Sequence, residues 1–278
     1  MFNKVLDNLE KKSQESISKE EGDYYKDGLL MCGKCNTPKQ TKVEFNGKIL
    51  KPRCLCKCGA EKRDKEQAEF ERQQELERID RLRRSGFSDS EMDKWTFEND
   101  DKANEKISTV ARNYVDNFKE MRKKGKGLLL FGNVGTGKTF TAACIANALI
   151  DKGYPCLVTN FARLTNTISG MFEGKQNYID SLNNYVLLVI DDLASERDTE
   201  YMNEIVMNII DARYRSGLPL IVTTNLTANE LKDPKEIRKQ RIYSRLMEMC
   251  VPIEVEGADR RKEKLKNDYN DVKDILGL

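Results

Sequence analysis

Gly132-Asn133-Val134-Gly135-Thr136-Gly137-Lys138-Thr139 decides the fold. It fits G-x-x-x-x-G-K-[ST], the phosphate-binding loop, at every specified position. Gly127 to Phe131 before it reads as a short buried strand, and Phe140 to Ile150 after it reads as an Ala-rich helix. Strand, loop and helix in that order are what phosphate binding needs. Glycines let the backbone wrap an anion, and the loop N–H groups and helix N-terminus then point at negative charge. Lys138 is expected to reach the β- and γ-phosphates, and the Thr139 hydroxyl to ligate Mg²⁺.

The rest of the chain narrows the setting. Its 278 residues suffice for one large or two small domains. Lysine and arginine total 48 against 46 acidic residues, so the net charge is only +2. Any nucleic-acid contact must therefore come from a local patch. No apolar run has transmembrane length and no signal-peptide core opens the chain, which reads as cytoplasmic with no membrane partner. There is no histidine. That excludes every His-based triad or general base and makes any zinc site a cysteine site.

Five of the eight cysteines crowd into Cys32-Gly33-Lys34-Cys35 and Cys54-Leu55-Cys56-Lys57-Cys58. Between them, Lys42 to Leu50 reads as a hairpin turning at Asn46-Gly47. A C-x2-C knuckle and a second thiol group returned by a hairpin close a tetrahedral four-thiolate site. Cys32, Cys35, Cys56 and Cys58 are the expected Zn²⁺ ligands, with Cys54 the spare. Such a site leaves no open position, so its role is structural.

Around these motifs, residues 4–19 read as a thinly amphipathic helix suited to docking, and residues 60–84 as a charged exposed helix acting as linker. Ala103 to Lys123 reads as one core-facing helix. Downstream, Tyr185-Val186-Leu187-Leu188-Val189-Ile190-Asp191-Asp192 is an apolar strand ending in acids. Asp191 is aimed at Mg²⁺, and Asp192 is placed to polarise the attacking water. Leu218 to Asn225 is a third strand with a polar end; an Asn225 between the two motif strands would position that water. Glu200 to Arg215 and Ile237 to Met249 read as helices, and Val251 to Val255 as the last strand. Arg260-Arg261 opens a charged C-terminal helix.

Taken together, Gly-Asn-Val-Gly-Thr-Gly-Lys-Thr, Leu-Leu-Val-Ile-Asp-Asp-Leu, Ile-Ile-Asp-Ala-Arg-Tyr, Ile-Val-Thr-Thr-Asn-Leu and Arg-Ile-Tyr-Ser-Arg-Leu resemble the AAA+ replicative helicase loaders of bacteria and phages (DnaC/DnaI type). The resemblance covers roughly residues 95–260, and the Cys-rich N-terminal module followed by a charged helix also resembles these loaders. It implies an α/β P-loop AAA+ domain with a parallel sheet and a minimal or absent lid, beside a small four-cysteine zinc domain. It implies ATP, Mg²⁺ and Zn²⁺ as cofactors, and slow ATP hydrolysis stimulated by assembly or DNA. It implies docking of the N-terminal part on a hexameric replicative helicase, single-stranded DNA binding, and self-assembly through the AAA+ domain. Lys138 and Thr139 then match the Walker A pair, Asp191 and Asp192 Walker B, and Asn225 sensor 1. Arg245 matches the arginine finger, with Arg241 the alternative, and Arg260 or Arg261 falls at sensor 2. The family carries an insertion facing a central groove between the Walker strands. There, Arg163, Phe172, Lys175 and Tyr178, together with Tyr201, supply cationic and aromatic groups for single-stranded DNA.

Two departures bear on function. Asp192 stands where most AAA+ proteins have Glu, one methylene longer, which argues for slow hydrolysis. About twenty residues follow the last strand, too few for a helical lid. The expected domains are 1–60 for zinc and helicase docking, 61–94 as linker, and 95–278 as the ATPase. The rival readings are an IstB-type transposition helper acting on duplex DNA and a non-hydrolysing ATP-binding adaptor.

Overall fold

Tyr24–Lys26 (β1) and Leu29–Met31 (β2) form an antiparallel hairpin that the sequence reading passed over. Its turn is Asp27-Gly28, both at positive φ (52° and 72°). Asp-Gly is a favoured pair for such a two-residue turn. A second hairpin joins Val43–Phe45 (β3) to Lys48–Leu50 (β4) and pairs Phe45 with Lys48, in the stretch where a hairpin is expected. The computed structural model describes residues 19–262 except 46 and 195–198, and beyond them positions 265, 269, 272, 273 and 276. The docking helix expected over 4–19 therefore lies, but for Lys19, outside the described residues. So does most of the C-terminal helix.

The chain divides into two units, Met1–Leu76 and Glu77–Leu278. The first has a sparse apolar interior, with Leu30, Cys32 and Cys56 buried. Polar bonds supply much of its order. The Lys39 ammonium is held by Asp23 at 2.6 Å and Glu20 at 2.9 Å. These bonds depress both carboxyl pKa values and raise that of the lysine. Asp23 also accepts from the Gly33 N–H at 3.1 Å. Only glycine fits at 33, because a Cβ there would lie 2.1 Å from the Gly22 carbonyl oxygen.

One helix, Lys57–Gly86 (α1), runs across the 76/77 division. Residues 77–94, expected as part of a linker, instead belong to the second unit. Ile79, Leu82, Phe87 and Met92 pack on its core, and Phe87 bridges Val158 in parallel register. The reason lies in sequence spacing: the few apolar residues of α1 are concentrated at its C-terminal end.

The second unit continues with Glu105–Asp116 (α2) and Phe118–Lys123 (α3). A single helix from 103 to 123 was expected. It breaks at Asn117, which leaves α-helical geometry (φ −99°, ψ 18°). Then come Gly127–Phe131 (β5), Lys138–Asp151 (α4), Cys156–Asn160 (β6), Phe161–Ser169 (α5) and Lys175–Ser181 (α6). Leu187–Leu193 (β7), Glu200–Ser216 (α7), Leu220–Thr224 (β8), Ala228–Lys232 (α8), Ile237–Met249 (α9) and Cys250–Glu254 (β9) follow.

The five strands form one parallel sheet in the order β6-β7-β8-β5-β9. Its two faces carry separate apolar cores. Leu129, Phe161, Ile190, Ile209 and Leu246 stand on one side, and Leu128, Leu130, Ile145, Val189 and Ile221 on the other. Both faces being covered explains why β5 and β8 are buried along their whole length and read as unbroken apolar runs. β5 and β8 also approach closely. A Cβ at Gly127 would sit 1.6 Å from the Leu220 carbonyl oxygen. Arg213, only 1% exposed, caps the strand starts. Its guanidinium donates to the carbonyls of Pro219 (2.7 Å), Tyr185 (2.9 Å) and Val186 (2.9 Å). Burial lowers its pKa to about 10. Among the described residues, no helix is long and apolar enough to cross a membrane.

Candidate functional site

The order β6-β7-β8-β5-β9 puts β8 between the phosphate-loop strand and the acidic strand. In a parallel sheet all the C-terminal ends emerge on one edge, where ligands bind α/β folds. At that edge lies a cleft of about 400 Å³, whose lining includes Gly135, Gly137, Lys138, Thr139, Asp191 and Asp192. Val134, Asn225 and Arg260 line it too, with Trp95, Phe140, Thr223 and Arg261.

The phosphate loop is shaped by glycines at positive φ: Gly132 at 133°, Gly135 at 79° and Gly137 at 95°. The remaining loop residues serve its shape, with the Thr136 hydroxyl donating to the Asn133 carbonyl at 3.0 Å. Lys138 is 6% exposed. Its ammonium donates to the Gly132 and Asn133 carbonyls at 2.9 and 2.6 Å and makes no ion pair among the described residues. Burial lowers its pKa. A buried cation whose hydrogen bonds go only to carbonyls, with the Asp191 and Asp192 carboxylates acting on it from across the cleft, is suited to an anion that pairs with it directly.

Opposite it, Asp191 accepts from the Thr139 hydroxyl at 2.8 Å and from the Thr223 hydroxyl at 2.5 Å. Burial raises its pKa, against the pull of those two hydrogen bonds. A hydroxyl and a carboxylate side by side are the oxygen donors a hard cation such as Mg²⁺ takes. The β7 backbone departs from regular pairing here. The register slips between Ile190 and Leu193, and Asp192 has φ 61°. For a non-glycine residue this left-handed conformation costs energy and marks a constrained position. Among the bonds that hold it, the Asp192 N–H donates to Thr223 Oγ1 at 2.9 Å, and Asn225 Nδ2 donates to Asp192 Oδ1 at 3.0 Å.

Thr223 is thus the link between both acids, and the sequence reading missed it. Its signal was a pair of threonines, Thr223 and Thr224, closing an apolar strand just before Asn225. Arg260 reaches the cleft wall and pairs with Asp101 at 3.1 Å, while its N–H donates to the Gly135 carbonyl at 3.1 Å.

Other expected residues lie elsewhere. Arg245, on α9, does not line the cleft. It pairs with Asp211 on α7, its guanidinium 5.4 Å from the Tyr214 ring centre. Phe172 is fully exposed. Lys175 donates to the Tyr201 hydroxyl at 2.9 Å. Arg163 donates to the Ser88 carbonyl at 2.6 Å, and Tyr178 packs against the core.

In the first unit, the sulfurs of Cys32, Cys35, Cys56 and Cys58 lie within 4.8 Å of one another. Cys58 Sγ is 3.6 Å from Cys32 Sγ and 3.5 Å from Cys56 Sγ. Tetrahedral zinc with Zn–S bonds near 2.3 Å sets sulfurs about 3.8 Å apart, so the four fit that ion. Cys54 faces the Pro38 carbonyl instead. The knuckle amides favour thiolates: the Cys58 N–H, with help from Thr37, lowers Cys35 to about 5, and the Cys35 N–H lowers Cys32. Cys58 is pushed up to about 12 by sharing hydrogen bonds with the other three thiols, chiefly Cys56.

Fold and cleft together define a P-loop nucleotide-binding domain of the AAA+ class. More narrowly, the chain belongs to the family described as IstB-like ATP binding protein, which matches residues 61–267. Membership implies ATP as the nucleotide of the cleft. The chain is 27% identical over 150 residues to the replicative helicase loader DnaI of Bacillus subtilis, a stretch covering 50% of this chain and 48% of that one. It is 30% identical over 159 residues to the replicative helicase loader DnaC of Buchnera aphidicola subsp. Baizongia pistaciae, covering 54% and 63%. It thus spans about half to two thirds of the length of these relatives. A crystal structure of DnaI shares the fold, with a TM-score of 0.53 at 23% identity, covering 65% of this chain and 99% of that one.

Proposed function

We propose that the protein is an ATP-dependent loader of a hexameric replicative DNA helicase. The observation that carries the reading is the convergence of Lys138, Thr139, Asp191, Asp192 and Asn225 on one cleft, in a chain similar to named helicase loaders. Residues 132–139 and Arg260 hold the nucleotide phosphates, and Thr139 and Asp191 hold Mg²⁺, which supplies charge neutralisation when bound. Asp192 and Asn225, hydrogen-bonded to each other, orient the attacking water. Arg245 acts on a neighbouring subunit's nucleotide, which ties turnover to self-assembly. Zinc on Cys32, Cys35, Cys56 and Cys58 orders the N-terminal unit, which docks on the helicase. Phe172, Lys175 and Tyr201 contribute to single-stranded DNA contact.

The test is unwinding by the cognate helicase of a strand annealed to a protein-coated circle that offers no free end. Unwinding that requires this protein and ATP, and is lost with Lys138→Ala, supports the loader. Unwinding equally fast without the protein contradicts it. The family description also favours a second reading, an IstB-type helper that serves a transposase on duplex DNA. Stimulation of strand transfer, with no effect on helicase loading, would select it. The third reading, an adaptor that binds ATP without turnover, is selected if DNA and helicase leave hydrolysis no higher than in Asp191→Asn.

A further inference from the structure

Residues 119–126 (Lys-Glu-Met-Arg-Lys-Lys-Gly-Lys) hold five basic residues and one acidic residue in a chain whose net charge is only +2. Lys119, Arg122, Lys123 and Lys124 are exposed, and none of them makes an ion pair among the described residues. Glu120 makes none with them either. On α1, by comparison, Lys62 pairs with Glu66 and Arg84 with Asp80, both at i,i+4 spacing. On α3 the same spacing joins Lys119 to Lys123, a like-charge pair that destabilises a helix. The helix dipole accounts for Arg122 and Lys123, which sit in the last turn. It does not account for Lys119, a turn earlier, or for the continuation through Lys124 and Lys126.

The run borders an open groove of about 500 Å³, lined by Lys123, Lys124 and Lys126 and by one acid, Glu248, with Tyr214 and Met247. Lys126 is committed to the Glu248 carbonyl, which leaves Lys123 and Lys124 to face solvent at the rim. Tyr214 offers a half-exposed aromatic ring. The groove lies where β5 and β8 begin, whereas the nucleotide cleft lies where they end. Five residues of strand, about 16 Å, separate the two edges.

We propose that this groove is a second DNA-binding surface, which grips the phosphodiester backbone through Lys119, Arg122, Lys123 and Lys124. Uncompensated cations at the rim of an open groove match a phosphate chain, where each neutralised phosphate releases counterions. The run presents no large exposed aliphatic side chain to insert into a lipid surface, so nucleic acid is favoured over a membrane. The surface is independent of the loader reading, because it needs neither helicase nor ATP. It is also distinct from the Phe172, Lys175 and Tyr201 region.

The experiment is fluorescence anisotropy of the full-length protein with a labelled 30-nucleotide oligo-dT and a 30-base-pair duplex, titrated across salt. Four-alanine (Lys119, Arg122, Lys123 and Lys124 to Ala) and milder Lys123→Gln/Lys124→Gln variants are compared with Lys175→Ala. The four-alanine change is expected to flatten the slope of log K against log salt by about 3 on single strands or by about 3.6 on duplex. The milder variant should lose about half as much, with nucleotide binding intact, and whichever substrate loses more slope is the one gripped here. Lys175→Ala should leave this loss available to a second round of substitution. Unchanged slopes on both substrates, or no salt-dependent binding by the wild type, would overturn the proposal. So would tighter binding to anionic phosphatidylglycerol vesicles than to either DNA.

Discussion

The two units of this chain reach order by opposite means. The unit from Glu77 onward buries apolar side chains on both faces of a five-stranded sheet, and its central strands β5 and β8 are dry along their length. The first unit, by contrast, leaves Tyr25, Val43, Phe45 and Ile49 exposed, and its order comes from four thiols and the Lys39 ion pairs. A fold of two short hairpins cannot bury enough surface to stand alone. The difference teaches that the nucleotide site rests on a scaffold with its own apolar core, whereas the N-terminal unit has little besides the proposed zinc site to hold it.

The largest effect should come from removing the proposed zinc. Zinc binding to small four-ligand modules is worth about 10–16 kcal/mol. Chelation should therefore abolish amide protection over residues 23–56 while leaving β5 to β9 protected in hydrogen exchange. Equal loss in both units would erase the contrast. Next comes Lys138→Ala, which removes the one cation buried among the loop carbonyls. Binding of ATP should weaken at least 100-fold. Trp95, the only tryptophan, lines the cleft and reports that binding by its fluorescence.

Arg213→Ala should then sharpen the comparison from the other side. It strands the carbonyls of Tyr185, Val186 and Pro219, at about 1–3 kcal/mol for each unsatisfied group. Thermal unfolding of the second unit should fall by at least 3 kcal/mol, while zinc content stays unchanged. The smallest effect belongs to Thr227→Ala. Thr227 and Glu230 form a reciprocal capping box at the start of α8, worth about 1 kcal/mol.

How much of this was legible in the sequence follows the same division. The phosphate loop, the acid-tipped strand and the strands around Leu129, Val222 and Ile253 announce themselves locally, because each is a contiguous run whose chemistry or periodicity stands alone. The thiol set was legible for the same reason, since two short clusters carry it. What was hidden depends on residues far apart in sequence. Thr223 matters through Asp191 and Asp192, a strand away. Arg245 meets Asp211 only because α7 and α9 lie side by side. Arg213 looks like one more charge on an amphipathic helix until the sheet's edge closes over it. The break at Asn117 was invisible because apolar spacing continues through it to Phe118 and Met121. The Asp27-Gly28 turn was the exception: its local signal was present and was overlooked amid polar neighbours.

The central claim is that the N-terminal unit docks on a helicase while the second unit senses ATP. Mass photometry of the full chain mixed with the cognate hexameric helicase tests it most directly, in ATP, in ADP and after zinc removal. The account predicts a discrete complex in ATP, lost when zinc is stripped and retained by Lys138→Ala with altered nucleotide dependence. A complex that forms equally well without zinc, or none in any nucleotide state, would contradict it.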